Sequence, residues 1–289
     1  MKVGLALGSG GAKGLAHIGV LKVLEEFGIK PNFISGTSIG AIIGGLYAYG
    51  LSIKEIEKIA LEIDKKKQKD VLSLKPSLSG LISQEKIFEF YYSIFGKTKI
   101  EEIKTKFLCV ATDIQTGDEI IMNKGELTKA VVSSASIPII FPPVKYKNRY
   151  LVDGGLVNPI PIKPLLHSGV DFTIAVDVTK PLKKRIPEKK SQKQRDENFL
   201  SKITNLFSSM YDKNFNDTPN LLNIFLNSID IMEEQIVRKT LSLYPPDILI
   251  TPDIKNFNTF DFYKAKEIIS KGEEITRTVA DFIKYKLTH

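Results

Sequence analysis

Sulfur and imidazole groups are scarce in this chain of 289 residues, which contains one cysteine, three histidines and no tryptophan. A single cysteine excludes a disulfide framework, and no Cys/His spacing is typical of a structural metal site. Cys109 stands in the apolar run 107–111 and is predicted to be a buried strand residue rather than a reactive thiol. We therefore expect a protein that needs neither a metal nor a cofactor.

Long apolar runs are also lacking. No stretch of about 18 apolar residues occurs, so a membrane span is not expected, and a strand-like segment begins at Lys2, so no signal peptide is expected. The net charge is +8, with lysines gathered in 65–69 and 183–190, but no nucleic-acid-binding module is recognised. We expect no nucleic-acid partner and a cytoplasmic location. A solvated surface and peripheral contact with an anionic membrane at its inner face stay open, as does the oligomeric state.

Strand-like and helix-like segments alternate along most of the chain. Strands are predicted over 2–7, 32–35, 107–113, 118–122, 149–152, 172–177 and 247–250. Helices are predicted over 14–27, 38–49, 53–63, 84–95, 127–134, 199–211, 220–243 and 262–285. This alternation predicts an α/β fold with a largely parallel central sheet and helices on both faces.

A lysine-rich, polar segment, 181–198, interrupts this alternation and is predicted to be a linker. We expect a single domain with its core in 1–180 and 244–289, and with 181–243 as a basic linker plus a helical insertion. Helix 220–243 carries apolar residues at helical spacing. It could pack on the core, cover a site as a lid, contact a membrane or form a dimer face, and these alternatives stay open.

Residues 36–40 read G-T-S-I-G and form the most informative segment of the chain. They lie between a predicted strand and an apolar, small-residue helix. In that context G-x-S-x-G is typical of a sharp turn that presents the serine hydroxyl, here Ser38, at the top of a sheet and at a helix N-terminus. An ordinary tight turn is the alternative.

The base that would activate Ser38 is harder to assign. His289 ends the sequence, His17 lies on an apolar helical face and His167 stands at the end of a short helix. A carboxylate is a better candidate, because Asp153 ends a predicted strand, at the edge where open α/β sheets place their sites. Such a dyad requires burial that raises the basicity of the aspartate. A plain strand-to-loop turn and a histidine triad stay open.

A glycine-rich loop, residues 8–14 with the sequence G-S-G-G-A-K-G, joins the first predicted strand to the first helix. Such a loop points several backbone N–H groups at an anion. The spacing does not fit the dinucleotide fingerprint or a P-loop. An oxyanion hole for an acyl-transfer intermediate therefore explains the loop better than a nucleotide site.

Together these segments resemble the patatin-like phospholipases, specifically their compact bacterial members. The glycine loop, G-T-S-I-G and D-G-G occur in the family's order, and the likeness covers roughly 1–180 and 244–285. Ser9 stands where the family's loop usually has its first glycine. Further segments that fit are 111–117, 133–138, 141–144, 153–159 and 246–253.

This resemblance implies a three-layer α/β/α fold and a catalytic dyad of Ser38 and Asp153. We expect the backbone N–H groups of Gly10, Gly11 and Ile39 to form the oxyanion hole. Residues that support these motifs are Gly8, Ala12, Lys13, Gly14, Gly36, Gly40, Gly154 and Gly155.

The function expected from these residues is that of a serine esterase. The resemblance implies a lipid acyl ester, such as a phospholipid or lysophospholipid, as the substrate, whereas the residues alone imply only acyl transfer through an acyl-enzyme. An acyltransferase that uses the same acyl-enzyme stays open. So does a non-catalytic lipid-binding or regulatory protein on the same scaffold, because a fold does not fix a function.

Overall fold

The computed structural model describes residues 1–65, 84–179 and 221–289. The predicted linker 181–198, the predicted helix 199–211 and the lysines at 66–69 and 183–190 lie outside these ranges. The predicted helix 220–243 lies within them from residue 221 onward.

Eight strands of the described residues form one sheet, in which successive strands pair in the order β5-β6-β3-β2-β1-β7-β8. Strands β6 and β2 pair with different stretches of one edge of β3, and β4 pairs with its other edge. The strands β1, β2, β3, β7 and β8 run parallel, whereas β4, β5 and β6 pair antiparallel. The predicted α/β fold with a largely parallel sheet is confirmed. The strands are β1 Val3–Leu7, β2 Phe33–Thr37, β3 Lys106–Asp113, β4 Glu119–Met122, β5 Val144–Tyr146, β6 Arg149–Asp153, β7 Phe172–Val176 and β8 Ile248–Ile250.

Successive residues of a strand point to opposite faces of the sheet. Because the residues of β1 are buried on both faces, helices cover both of them. Leu5 and Leu7 of β1 belong to the larger hydrophobic cluster, and Ala6 belongs to the smaller one. The larger cluster includes residues of α1, α2, α5 and α8, and the smaller one includes residues of α6 and α7. The helices are α1 Ala16–Glu26, α2 Ile39–Tyr49, α3 Ile53–Lys65, α4 Gln84–Phe95, α5 Leu127–Ser134, α6 Ile162–Leu166, α7 Leu221–Leu243 and α8 Ala265–Thr288.

Beyond shifts of a few residues at several element ends, the start of the first helix and one strand differ from the sequence expectation. The predicted helix 14–27 begins as a 3-10 turn, Gly11–Leu15, and becomes α-helical at Ala16, because the glycine loop enters it through positive φ angles. Strand β5 was not predicted. Its three residues pair with β6 across a turn at Lys147, which has a φ of 54°.

The pairing of β3 determines where two other strands end. Val110 of β3 pairs with Thr37, the last residue of β2. The next residue, Ala111, pairs with Asp153, the last residue of β6. Because β4 occupies the opposite edge at both positions, β2 and β6 share one edge of β3. The two strands run in opposite directions and stop where they meet, so Ser38, directly after β2, lies beside Asp153.

Helix α2 can lie close to the sheet because it is rich in glycine. A Cβ atom on Gly40 would overlap the carbonyl of Leu7 and lie 2.8 Å from the carbonyl oxygen of Gly8. One turn later, a Cβ atom on Gly44 would meet only side chains, the nearest being Ile34 at 2.9 Å. The close approach at Gly40 sets the distance between the serine turn and the glycine loop.

We expect Gly40→Ala to lower the free energy of unfolding by about 3 kcal/mol, because the backbone of β1 cannot move away. Gly44→Ala is the matched control. Its new methyl group can displace side-chain methyls, and alanine favours the helix by about 1 kcal/mol, so a change within about 1 kcal/mol is expected. Urea denaturation of the two variants measures both values. Equal losses would contradict this account of the close approach.

Candidate active site

Ser38 occupies a strained turn between β2 and α2. Its φ and ψ are 58° and −123°, a conformation that non-glycine residues rarely adopt and that is concentrated at functional sites. Its N–H donates to the hydroxyl of Ser134 at 3.0 Å, and that hydroxyl donates to the carbonyl of Val110 at 2.6 Å. Ser134, which sequence reasoning did not single out, therefore anchors the serine turn to β3.

Asp153 is fixed at the end of β6 by both its backbone and its side chain. Its N–H donates to the carbonyl of Ser136 at 2.9 Å, and its carbonyl accepts from the hydroxyl of Thr112 at 2.8 Å. In the side chain, Oδ1 accepts the N–H of Gly155 at 2.8 Å and Oδ2 accepts the hydroxyl of Ser38 at 2.6 Å. The carboxylate therefore faces the serine oxygen in one orientation.

Burial changes the acidity of this carboxyl group. Asp153 is 5% exposed, and the resulting desolvation raises its pKa to about 6, against the opposing effect of the hydrogen bonds from Ser38 and Gly155. At neutral pH the group is ionised but is a stronger base than an ordinary aspartate. It can therefore accept a proton from the hydroxyl with which it is already hydrogen-bonded.

The glycine loop lies beside this pair. The loop is held on both sides of the two glycines, since Ser9 donates its N–H to the carbonyl of Pro159 and Ala12 donates to that of Thr259. Gly11 has a φ of 56°, and a Cβ atom there would overlap the carbonyl of Thr259. Within the part of the chain that the structure describes, the N–H groups of Gly10 and Gly11 have no hydrogen-bond partner.

The other glycines of the sequence motifs lie where a side chain would collide with neighbouring atoms. A Cβ atom on Gly8 would lie 2.9 Å from the Val176 carbonyl, and one on Gly36 would overlap the backbone of α2. A Cβ atom on Gly14 would overlap the side chain of Ile39, and one on Gly154 would overlap the Val110 carbonyl. Ala12 and Lys13 are buried.

One cleft brings together four of the five residues predicted for the dyad and the oxyanion hole. Ser38, Asp153, Gly10 and Gly11 line it, whereas Ile39 does not. The cleft has a volume of about 470 Å³, including space open to solvent. Its remaining lining residues are Ile137, Pro138, Leu156, Leu226, Ile229, Asp230, Glu233 and Thr259.

Neither internal histidine lies in the cleft lining. His17 is fully buried, and its Nε2 contacts the carbonyl oxygen of Gly8 at 2.8 Å, so it supports the start of the glycine loop. Burial lowers its pKa to about 4 and keeps the ring neutral. His167 is exposed at the C-terminal end of α6. The hydrogen-bond partner of the Ser38 hydroxyl is Asp153.

Helix α7 contributes a carboxylic acid that sequence reasoning missed. The hydroxyl of Ser9 donates to Oε2 of Glu233 at 2.8 Å. Burial and the negative charge of Asp153 raise the pKa of Glu233 to about 8. The sequence did contain a signal: Glu233 is one helical turn from both Ile229 and Val237, so it interrupts an apolar stripe with a carboxyl group.

Two further features bear on the chemistry available to the described residues. Among residues 1–65, 84–179 and 221–289, no group of three or more His, Cys, Asp or Glu side chains is arranged to hold a metal ion. In the same ranges, each helix is too short or too polar to span a lipid bilayer.

The chain matches the family model of the patatin-like phospholipases over residues 5–166. An uncharacterized NTE family protein of Mycobacterium tuberculosis is 28% identical, over 95% of this chain and 90% of its own length. Lysophospholipase NTE1 of Meyerozyma guilliermondii is 31% identical over 93% of this chain, which spans only 18% of that protein. The crystal structure of VipD from Legionella pneumophila has a TM-score of 0.48 at 14% identity, covering 97% of this chain and 66% of that one. The family match includes the glycine loop, Ser38 and Asp153.

The raised pKa of Asp153 predicts that Asp153→Asn stabilises the protein at neutral pH. The folded state holds this proton more tightly than the unfolded chain does, so stability decreases as the pH rises from about 4 through 6. A shift of about two pKa units corresponds to about 3 kcal/mol at most. We expect Asp153→Asn to raise the free energy of unfolding by about 1–3 kcal/mol at pH 7, and by much less at pH 4.5.

Urea denaturation at the two pH values measures this difference. Asp281→Asn, on an exposed position of α8, is the matched control, and we expect it to change stability by less than about 0.5 kcal/mol at either pH. An Asp153→Asn variant that is no more stable than the wild type at pH 7 would contradict the burial argument.

Proposed function

The chain belongs to the patatin-like phospholipase family, and from that premise we propose that it hydrolyses carboxylic esters of phospholipids or lysophospholipids through a Ser38–Asp153 dyad. Membership of this family makes the chain a hydrolase of lipid esters. The dyad, the acyl-enzyme and the choice of lipid are our proposal. The observation that carries it is the 2.6 Å hydrogen bond from Ser38 Oγ to Asp153 Oδ2, in a cleft lined by Gly10 and Gly11, whose backbone N–H groups have no partner among the described residues.

In the first half of the reaction, Ser38 Oγ attacks the ester carbonyl carbon while its proton passes to Asp153 Oδ2. The carbonyl oxygen becomes an oxyanion and accepts hydrogen bonds from the N–H groups of Gly10 and Gly11, with that of Ile39 as a further donor. When the carbon–oxygen bond to the alcohol breaks, Asp153 returns the proton to the leaving oxygen. The fatty acyl group then remains on Ser38.

In the second half, a water molecule gives a proton to Asp153 as its oxygen attacks the acyl carbon. Collapse of the second oxyanion breaks the bond to Ser38 Oγ, which recovers the proton, and a fatty acid leaves. The basicity that burial gives Asp153 serves both halves, because the group must accept and return a proton near neutral pH.

The cleft walls support an acyl chain as the part of the substrate nearest the serine. Ile137, Pro138 and Leu156 lie on the side of the sheet ends, and Leu226 and Ile229 approach from α7. Apolar walls with a few converging polar groups are typical of sites that bind a mainly apolar ligand. These residues favour a fatty acyl ester over a small polar ester.

We expect Ser38→Ala and Asp153→Asn each to reduce fatty-acid release from lysophosphatidylcholine and from p-nitrophenyl esters by at least about 10³-fold. The reason is that each removes one end of the proton transfer that starts the reaction. Ser93→Ala, Asp281→Asn and His167→Ala change exposed residues away from the cleft and should retain full turnover. Turnover that survives in Ser38→Ala would overturn the proposed nucleophile.

The same assay separates hydrolysis from acyl transfer when it is repeated with an added alcohol acceptor. We expect free fatty acid as the main product in both cases. A main product that carries the acyl group on the acceptor would favour the acyltransferase instead. A folded wild-type protein that binds lipid vesicles but releases no fatty acid would favour the binding scaffold.

A further inference from the structure

The side chain of Glu233 lines the active-site cleft from α7 and comes near Asp153 beside Gly155. A Cβ atom built on Gly155 would overlap Oε1 of Glu233 and lie 3.1 Å from Oδ1 of Asp153. A side chain at residue 155 would therefore have to displace the carboxyl end of Glu233. Through its other oxygen, Glu233 accepts the hydroxyl of Ser9 at 2.8 Å. The glutamate thus links α7 to the glycine loop beside the dyad.

The charged and polar groups that affect the ionisation of Glu233 come from β6, from α7 itself and from the glycine loop. Asp153 on β6 and Asp230 on α7 are like charges that disfavour its ionised form. Lys13, in the 3-10 turn that overlaps the end of the glycine loop, is a cation that favours ionisation, and the hydroxyl of Ser9 also favours it. Burial outweighs these two favourable effects.

Two carboxyl groups this close cannot both ionise easily, so one of them keeps a proton near neutral pH. The hydrogen bonds determine which one. Asp153 receives two, from Ser38 and Gly155, and both favour its charged form. Glu233 receives one, from Ser9. The proton therefore stays on Glu233, in agreement with a pKa of about 8 there and about 6 at Asp153.

We propose that Glu233 is a positioning residue that works as a neutral carboxyl group. It holds the glycine loop through Ser9 and leaves Asp153 as the only negative charge beside Ser38. When Glu233 loses its proton, the cleft that must hold the oxyanion gains a second negative charge. This charge repels the oxyanion, and acyl transfer stops. This inference rests on the proposed Ser38–Asp153 hydrolase.

The pH dependence of kcat/KM tests this role. We expect activity to rise through about pH 6 as Asp153 ionises and to fall through about pH 8 as Glu233 ionises. Above the falling limb, wild-type activity should decrease roughly tenfold per pH unit. Glu233→Gln keeps a neutral side chain with an acceptor for Ser9. It should retain the rising limb and change less than about threefold between pH 7 and pH 9.5.

Substitutions of two residues near Glu233 should move the falling limb of the pH profile in opposite directions. Ser9→Gly removes a hydrogen bond that stabilises the ionised glutamate, so the limb should shift to higher pH. Asp230→Asn removes a like charge, so the limb should shift to lower pH. A glutamate with a purely structural role would change the rate without moving the limb. Glu267→Gln on the exposed surface of α8 is the matched control and should leave both limbs in place.

A ¹³C NMR titration of glutamate-labelled protein gives a readout that does not depend on turnover. The carboxyl resonance that disappears in Glu233→Gln should titrate near pH 8 in the wild type. Titration below pH 5.5 would overturn the inference, and so would a falling limb that persists in Glu233→Gln while the wild type turns over. No turnover at any pH, with a resonance that still titrates near pH 8, would instead overturn the proposed hydrolase.

Discussion

Two strands that end opposite each other on one edge of β3 bring a serine and an aspartate into hydrogen-bond contact. Strand β2 runs parallel to β3 and β6 runs antiparallel. Their last residues pair with neighbouring residues of β3, so the two strands approach from opposite directions and stop at the same level of the sheet. Gly36, Gly40 and Gly154 are required because backbone carbonyls occupy the space that a side chain would need. The strained serine, the short hydrogen bond and the adjacent glycine loop all depend on this meeting of strand ends.

Burial gives this pair its chemistry. An aspartate exposed to water is a poor general base for a serine hydroxyl, because its pKa of about 4 lies far below neutral pH. In the cleft, desolvation raises the pKa of Asp153 to about 6. Helix α7 completes the enclosure with Leu226 and Ile229, and adds Glu233, whose higher pKa lets it remain neutral beside the ionised Asp153. The same enclosure therefore sets the acidity of both groups.

Most of the fold and the meeting of Ser38 with Asp153 could be predicted from the sequence because they rest on local signals. Glycine-rich turns between an apolar strand and a helix indicate Ser38 and the loop at 8–14, and an aspartate that ends a strand indicates Asp153. The order of these segments along the chain also indicates the family, which the family match confirms. The predicted α/β sheet is likewise confirmed, and its central strands β1 and β7 are short, mainly apolar runs that the sequence reveals.

The parts that could not be predicted depend on contacts between distant segments. Strand β5 has three residues and is formed by its pairing with β6, so no periodicity indicates it. Ser134 supports the serine turn from α5, and Glu233 reaches Ser9 across 224 positions of the chain. The sequence alone shows that Glu233 places a carboxyl group within an apolar stripe of a predicted helix. Its partner could not be identified until the glycine loop and α7 were seen together.

The most direct test of the central claim is the site at which a fluorophosphonate reacts with the protein. The phosphorus atom bonds to an activated serine oxygen and fluoride leaves, so mass spectrometry of the digested protein locates the nucleophile. We predict a single adduct on the peptide that contains Ser38, and its loss in a folded Asp153→Asn variant at pH 7. An adduct on a different residue, or a folded wild-type protein that stays unlabelled, would contradict the Ser38–Asp153 account.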